Sequence, residues 1–134
     1  MVDKLSDNAF DQYLNGRFTF KFEDFDKKVY MKPTMDERLT LHSLFKKQFK
    51  EDLTDEDILK RTQVLIDCLK RSQPNMSDEM IEGFIMLNDQ EALYHLWSSY
   101  GWIKGKGKTY TQWMTDLETE LKKNMDKAEQ KQNQ

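Results

Sequence analysis

Residues 17–37 read Arg17-Phe18-Thr19-Phe20-Lys21-Phe22, then Glu23-Asp24-Phe25-Asp26-Lys27-Lys28, then Val29-Tyr30-Met31-Lys32-Pro33-Thr34-Met35-Asp36-Glu37. In this stretch the apolar period changes. Phe18, Phe20 and Phe22 alternate with Arg17, Thr19 and Lys21, the pattern of a strand with one buried face. The mostly polar stretch 24–27 reads as a turn, and Val29, Tyr30 and Met31 as a second short strand ended by Pro33. The spacing predicts a β-hairpin over about 17–32. A lone hairpin is marginal in water, so its Phe face has to pack on helices. Thr34 and Glu37 then stand at the spacing of a capping box, in which hydroxyl and carboxylate satisfy each other's backbone amides. From Thr34 onward every segment reads as helix.

Working outward, Ser6 is placed to cap a short first helix with Phe10, Tyr13 and Leu14 as its apolar positions and Gly16 as its stop. The Thr34 helix carries Leu41, Leu44, Phe45 and Phe49 on roughly one face. Thr54 opens another, with Asp55, Glu56 and Asp57 at the positive end of its dipole. Its inner face is Ile58, Thr62, Leu65, Cys68 and Leu69. Lys70 and Arg71 fall in its last turn, and Pro74 stops it. Ser77 begins a shorter helix with Met80, Ile81, Phe84 and Ile85 inward. Asn88 or Asp89 caps the next, with Leu93, Leu96, Trp97 and Tyr100 inward and Gly101 at its end. Thr109 with Gln112 forms a second capping box, opening a last helix through Trp113, Met114, Leu117, Leu121 and Met125. The expectation is a mainly α protein, a compact bundle of five or six short helices with one N-terminal β-hairpin. A single domain covers 1–126, with helices over about 35–126, and 127–134 form a polar tail expected to fray.

Composition narrows the function classes. A chain of 134 residues fits one domain. Lys+Arg 21 against Asp+Glu 24 gives net charge −3, so no global field draws it to nucleic acid. One Cys excludes an intrachain disulfide and multi-cysteine zinc sites, and two His add no usual metal spacing. The opening MVDKLSDNAF has no apolar core of an export signal, and the longest uncharged apolar run, 84–87, is far short of a membrane span. A soluble, cytoplasmic protein is expected, and the free Cys68 agrees with a reducing compartment.

Individual motifs mostly have structural readings. Gly107-Lys108-Thr109 imitates the end of a phosphate-binding loop, but the preceding Gly101 leaves five intervening residues where the motif has four. The segment before it reads as helix, so the stretch 104–108 is expected to be a flexible, solvated basic turn. His42 and His95 sit mid-helix with no nucleophile arranged beside them, which predicts structural hydrogen bonding. Cys68 lies on an inward stripe, where a free Cys acts as a small apolar group. Asp55, Glu56, Asp57, Asp78 and Glu79 occupy helix starts, so no carboxylate pair stands out as acid and base. Neither an enzyme, a cofactor nor a metal is expected. Lys46, Lys47 and Lys50, with Lys104, Lys106 and Lys108, are the basic groupings, and no helix carries a basic stripe beside base-reading residues. Trp97, Tyr100, Trp102 and Trp113, with Met114 and Met125 nearby, are dense for so small a region. Helical spacing predicts burial for most of these rings, while aromatic and Met enrichment also marks partner-binding surfaces.

The order Phe-Thr-Phe-Lys-Phe, Lys-Val-Tyr-Met-Lys-Pro, capped helix and further short helices resembles the small tail assembly chaperones of long-tailed, siphovirus-type phages and prophages. The resemblance covers roughly residues 17–100 and is sharpest at Tyr30-Met31-Lys32-Pro33-Thr34 with the helix that follows; the aromatic C-terminal third lies outside it. It implies a non-enzymatic chaperone of virion morphogenesis, acting in the host cytoplasm through protein–protein interaction. Such a protein holds the long helical tape-measure protein soluble and recruits tail-tube subunits, and the resemblance leaves room for a homo-oligomer. Other readings are a different small morphogenesis or adaptor protein, such as a head–tail connector, and a small DNA-associated regulator. A connector would form a stable ring alone, and a regulator would bind DNA in a salt-sensitive way.

Overall fold

Phe20 stands opposite Val29 in the short antiparallel pair of β1 (Thr19–Lys21) and β2 (Lys28–Tyr30). The Met31 amide extends the pairing by donating to the Phe18 carbonyl at 2.9 Å. This register puts Phe18, Phe20, Phe22, Val29 and Met31 on one face. The computed structural model describes the backbone of residues 7–105 and 107–132. Around the hairpin lie α1 (Asp7–Arg17), α2 (Met35–Lys47), α3 (Asp55–Ser72), α4 (Asp78–Ser99) and α5 (Tyr110–Gln132). The chain is mainly helical, five helices among the described residues with one N-terminal hairpin, and α3 packs on both α2 and α4.

The passage from hairpin to helix is clamped from outside. Thr34 and Glu37 form the reciprocal cap of α2, with the Glu37 amide donating to Thr34 Oγ1 at 3.2 Å and the Thr34 amide to Glu37 Oε1 at 2.8 Å. Arg71, at the end of α3, adds hydrogen bonds to the Glu37 carboxylate and to the Lys32 carbonyl. Ser72 Oγ accepts from the Lys32 amide, and the Gln73 side chain donates to the Tyr30 carbonyl. The strand–Pro–Thr–helix passage is thus held by one end of α3, with Pro33 buried beneath it. A second capping box, Thr54 with Asp57, opens α3.

Beneath the hairpin face the core consists of Leu41, Leu65, Cys68, Leu69, Ile81, Ile85, Ala92, Leu93, Leu96 and Trp97, with Phe18, Phe22, Val29 and Met31 from the hairpin. Phe20 is only half-buried and stacks on the His95 ring at 5.2 Å, so the three-Phe face is less evenly inward than its alternation suggests.

Several local expectations are corrected. The boundary read at Asn88 is present, not as a loop but as a kink (φ −130°, ψ 18°) at which two helical segments run together as α4. The Asn88 side chain donates to the Phe84 carbonyl at 3.0 Å, so the polar residue that reads as a cap serves an interrupted turn instead. Gly16 lies within α1 rather than ending it, and Phe10 and Tyr13 are exposed, leaving Leu14 to pack. The Ser6 cap falls outside the described residues. Helix α2 ends at Lys47, so Phe49 is not on its inner face, and Ile58 and Met80 are exposed at the first turns of their helices. Helical backbone continues to Gln132, beyond the 127 start of the polar tail. Residues 133–134 lie outside the description.

Candidate functional site

The C-terminal third is organised by the way α4 stops. Gly101 has φ 76°, the left-handed conformation a glycine adopts without strain. Its amide donates to the Ser98 carbonyl, and the Trp102 amide reaches back to the Trp97 carbonyl at 2.9 Å, the paired bonds of a Schellman motif. This turn folds Trp102 back over the helices. Its ring lies 4.6 Å from His42, 5.6 Å from Phe45 and 4.9 Å from Tyr100, stacked on the last of these.

The chain next passes Tyr94, whose hydroxyl bonds the carbonyls of Gly105 at 2.8 Å and Lys108 at 2.5 Å. Gly105 is buried against Tyr94 and Ser98, and Gly107 takes φ 82°. Thr109 and Gln112 then cap the start of α5 reciprocally. The Gly-Lys stretch, expected to be flexible, is therefore anchored at both ends by one phenol; Lys106 itself is outside the described residues. Trp113 arrives 5.3 Å from the Tyr94 ring.

Between α2, α4, the 102–104 loop and α5 this leaves an open groove of about 610 Å³. Phe45 and Phe49 form one side, Trp97 and Trp102 the floor, and Trp113, Met114 and Leu117 the other side, with Gln48, Gln90 and Lys104 on the rim. Of the residues singled out from sequence, Trp97, Trp102, Trp113 and Met114 meet here. Tyr100 does not line the groove; it packs on Phe18 and beneath the Arg38 guanidinium at 5.1 Å. Met125 is 67% exposed and lies about 16 Å along α5 from Met114, outside the groove. Helical spacing put Phe49 on the apolar face of the Thr34 helix with Phe45; it is 72% exposed and stands at the groove's edge, touching Phe45 edge-on. Trp97 is nearly buried, and its indole N–H has no hydrogen-bond partner among the described residues. Comparison with protein-family models, curated proteins and solved structures returns no match.

A polar clasp lies on the other side of the 102–109 segment. Glu91, though an acid, is 7% exposed, and its Oε2 accepts from the Glu23 amide at 2.9 Å and pairs with His95 Nε2 at 3.1 Å. Glu23 in turn takes the Thr111 amide and hydroxyl, binding the hairpin turn to the first turn of α5. No group of three His, Cys, Asp or Glu among the described residues is arranged to hold a metal ion, and no helix of the structure is long and apolar enough to cross a membrane. Burial pushes the Cys68 thiol up to about 12, which leaves it protonated and unreactive in the fold.

The clasp has a pH signature. Burial holds the His95 imidazole below its ordinary 6.5, against the opposing pull of Glu91. The unfolded chain then binds a proton that the folded one resists, so stability falls as pH drops below about 6.5 toward the folded value. The Thr111 hydrogen bonds keep the Glu23 carboxyl below its ordinary 4.5, so its contribution is lost only as pH falls further, through that lowered value. Melting temperatures are expected to decline as pH falls below about 6.5. In His95→Gln that decline should flatten; a profile parallel to the wild type's would contradict the assignment.

Proposed function

We propose that this protein is a non-enzymatic assembly chaperone that holds an amphipathic helix of a larger virion protein in the groove between α2, α4 and α5. As in the phage tail assembly chaperones it resembles, the client is the tape-measure protein, met in the host cytoplasm, with tail-tube subunits recruited afterwards. The groove is the observation that carries the reading. Its aromatic floor and Met side suit the i, i+3/i+4, i+7 anchors of a helix, since Met and aromatic side chains adapt to successive apolar shapes. The amide and Lys rim suits the polar flank of such a helix. The basic residues give less support to a DNA-binding regulator, because Lys47 pairs with Asp57 at 2.6 Å and Lys108 with Asp116 at 2.7 Å.

Phe49 and Met114 separate binding from folding, because both edge the groove without entering the buried core. Co-expressed with a tape-measure-type protein, wild type is expected to co-purify with it. Phe49→Ala and Met114→Ala should each weaken capture about tenfold, the effect of losing an interface anchor. Their melting temperatures should stay near wild type. Full capture by both variants would place the client elsewhere. A wild type that captures nothing and closes into a ring alone would favour a connector, and salt-sensitive DNA binding a regulator.

A further inference from the structure

Helix α5 is 23 residues long, but only its first turns are packed: Trp113 and Met114 are half-buried, and every side chain from 115 to 128 is exposed. That is about 21 Å of helix, most of it beyond the end of the groove. Helices draw most of their stability from packing an amphipathic face, not from propensity. This stretch has such a face, since Leu117, Leu121 and Met125 recur at four-residue spacing and are all exposed. Leu117 reaches the end of the groove; Leu121 and Met125 lie outside it.

The same stretch is divided by charge. Before Leu121 come Asp116, Glu118 and Glu120; after it come Lys122, Lys123 and Lys127, with Asp126 the one acid among 122–127. Asp116 is engaged by Lys108 of its own chain. Among the described residues Glu118, Glu120, Lys122 and Lys123 form no ion pair. A helix that is acidic on one side of an apolar centre and basic on the other is complementary to itself reversed.

We infer that the outer half of α5 docks against the same segment of a second copy of this chain, antiparallel and centred near Leu121. The apolar stripes of the two helices then cover each other, and each acidic half runs along the partner's basic half. A parallel pair would set Glu118 and Glu120 beside their own copies, and like charges at that spacing repel. The two-fold arrangement is closed, because one stripe on each copy is used up by the other. It rests on α5 alone and holds whether or not the groove takes a client helix.

Sedimentation of the full chain over a concentration series tests this. Wild type is expected to pass from monomer to dimer, and Leu121→Glu to stay monomeric with an unchanged circular dichroism spectrum when dilute. Glu118→Lys/Glu120→Lys and Lys122→Glu/Lys123→Glu should each self-associate about tenfold more weakly, and an equimolar mixture of the two should recover dimers. Polarity is read by oxidation: Leu117→Cys alone should stay uncrosslinked, whereas its mixture with Met125→Cys should crosslink, the buried Cys68 remaining silent. A wild type that is monomeric throughout, or whose stripe is covered only by an added amphipathic peptide, would overturn the inference. So would a dimer unaffected by Leu121→Glu, or crosslinking of Leu117→Cys alone as fast as the mixture.

Discussion

Phe22→Ala is expected to cost about 3–5 kcal/mol of unfolding free energy, the range for a buried aromatic truncated to a methyl group. Phe22 has no exposed surface and sits edge-on to Phe84 at 5.0 Å and to His95 at 4.9 Å. The hairpin around it has three-residue strands, too short to persist without this contact. Little in the core is free to move into the space, because Ile81, Ile85 and Leu93 of the same cluster are themselves fully buried. Urea denaturation monitored by far-ultraviolet circular dichroism measures the loss. Phe20→Ala, at a half-buried position, should cost clearly less. A Phe22→Ala loss under about 1 kcal/mol would show that the hairpin face is not core.

The second large effect is expected at Gly105. A methyl group there would stand 2.7 Å from Tyr94 Cε2 and would collide with Ser98 Oγ. Tyr94 cannot easily yield: its ring lies against His95, Tyr110 and Trp113, and its hydroxyl bonds the Gly105 and Lys108 carbonyls. Gly105→Ala should therefore destabilise by about 1–3 kcal/mol, the usual cost of overpacking, and loosen the start of α5. Gly107→Ala is the comparison. Its added methyl group would meet nothing within 4 Å, so only the strain of φ 82° applies, about 1 kcal/mol. Thermal melts together with the near-ultraviolet aromatic signal report both changes. Equal effects of the two substitutions would contradict the anchoring role given to Tyr94.

How much of this was legible in the sequence depends on whether the signal was local. The Phe alternation, the Thr34–Glu37 box and the Thr109–Gln112 box are written within a few residues, and each is found where its spacing put it. The three buried positions of the α3 stripe, Leu65, Cys68 and Leu69, followed from helical periodicity for the same reason. Asn88 was legible as a boundary, since the helical backbone breaks there, but its side chain donates back to the Phe84 carbonyl instead of capping the segment that follows. Phe49 misled because its spacing from Phe45 extends the inner stripe, whereas α2 had already ended.

For the candidate site, the residue types were visible and their meeting was not. Trp97, Trp102, Trp113 and Met114 share a groove because a Schellman turn at Gly101 reverses the chain and Tyr94 ties down the next reversal. The phenol acts across 11 and 14 residues of sequence, a distance at which periodicity carries no information. Phe45 and Phe49 join from α2 and its exit through contacts that no pattern encodes. Met125 shares the spacing of the groove residues on α5 but lies beyond the point where that helix leaves the body. The Glu23–Thr111 bond, 88 residues apart in sequence, was equally out of reach.

The claim that the aromatic groove receives a helix is tested most directly by a photo-crosslinking side chain in place of Phe49, introduced during co-expression with a tape-measure-type protein and read by mass spectrometry. The expected product joins position 49 to a segment of that protein whose apolar residues recur at three- and four-residue spacing. Crosslinks only to other copies of this chain, or none while the two proteins still co-purify, would contradict the assignment of the groove as the docking site.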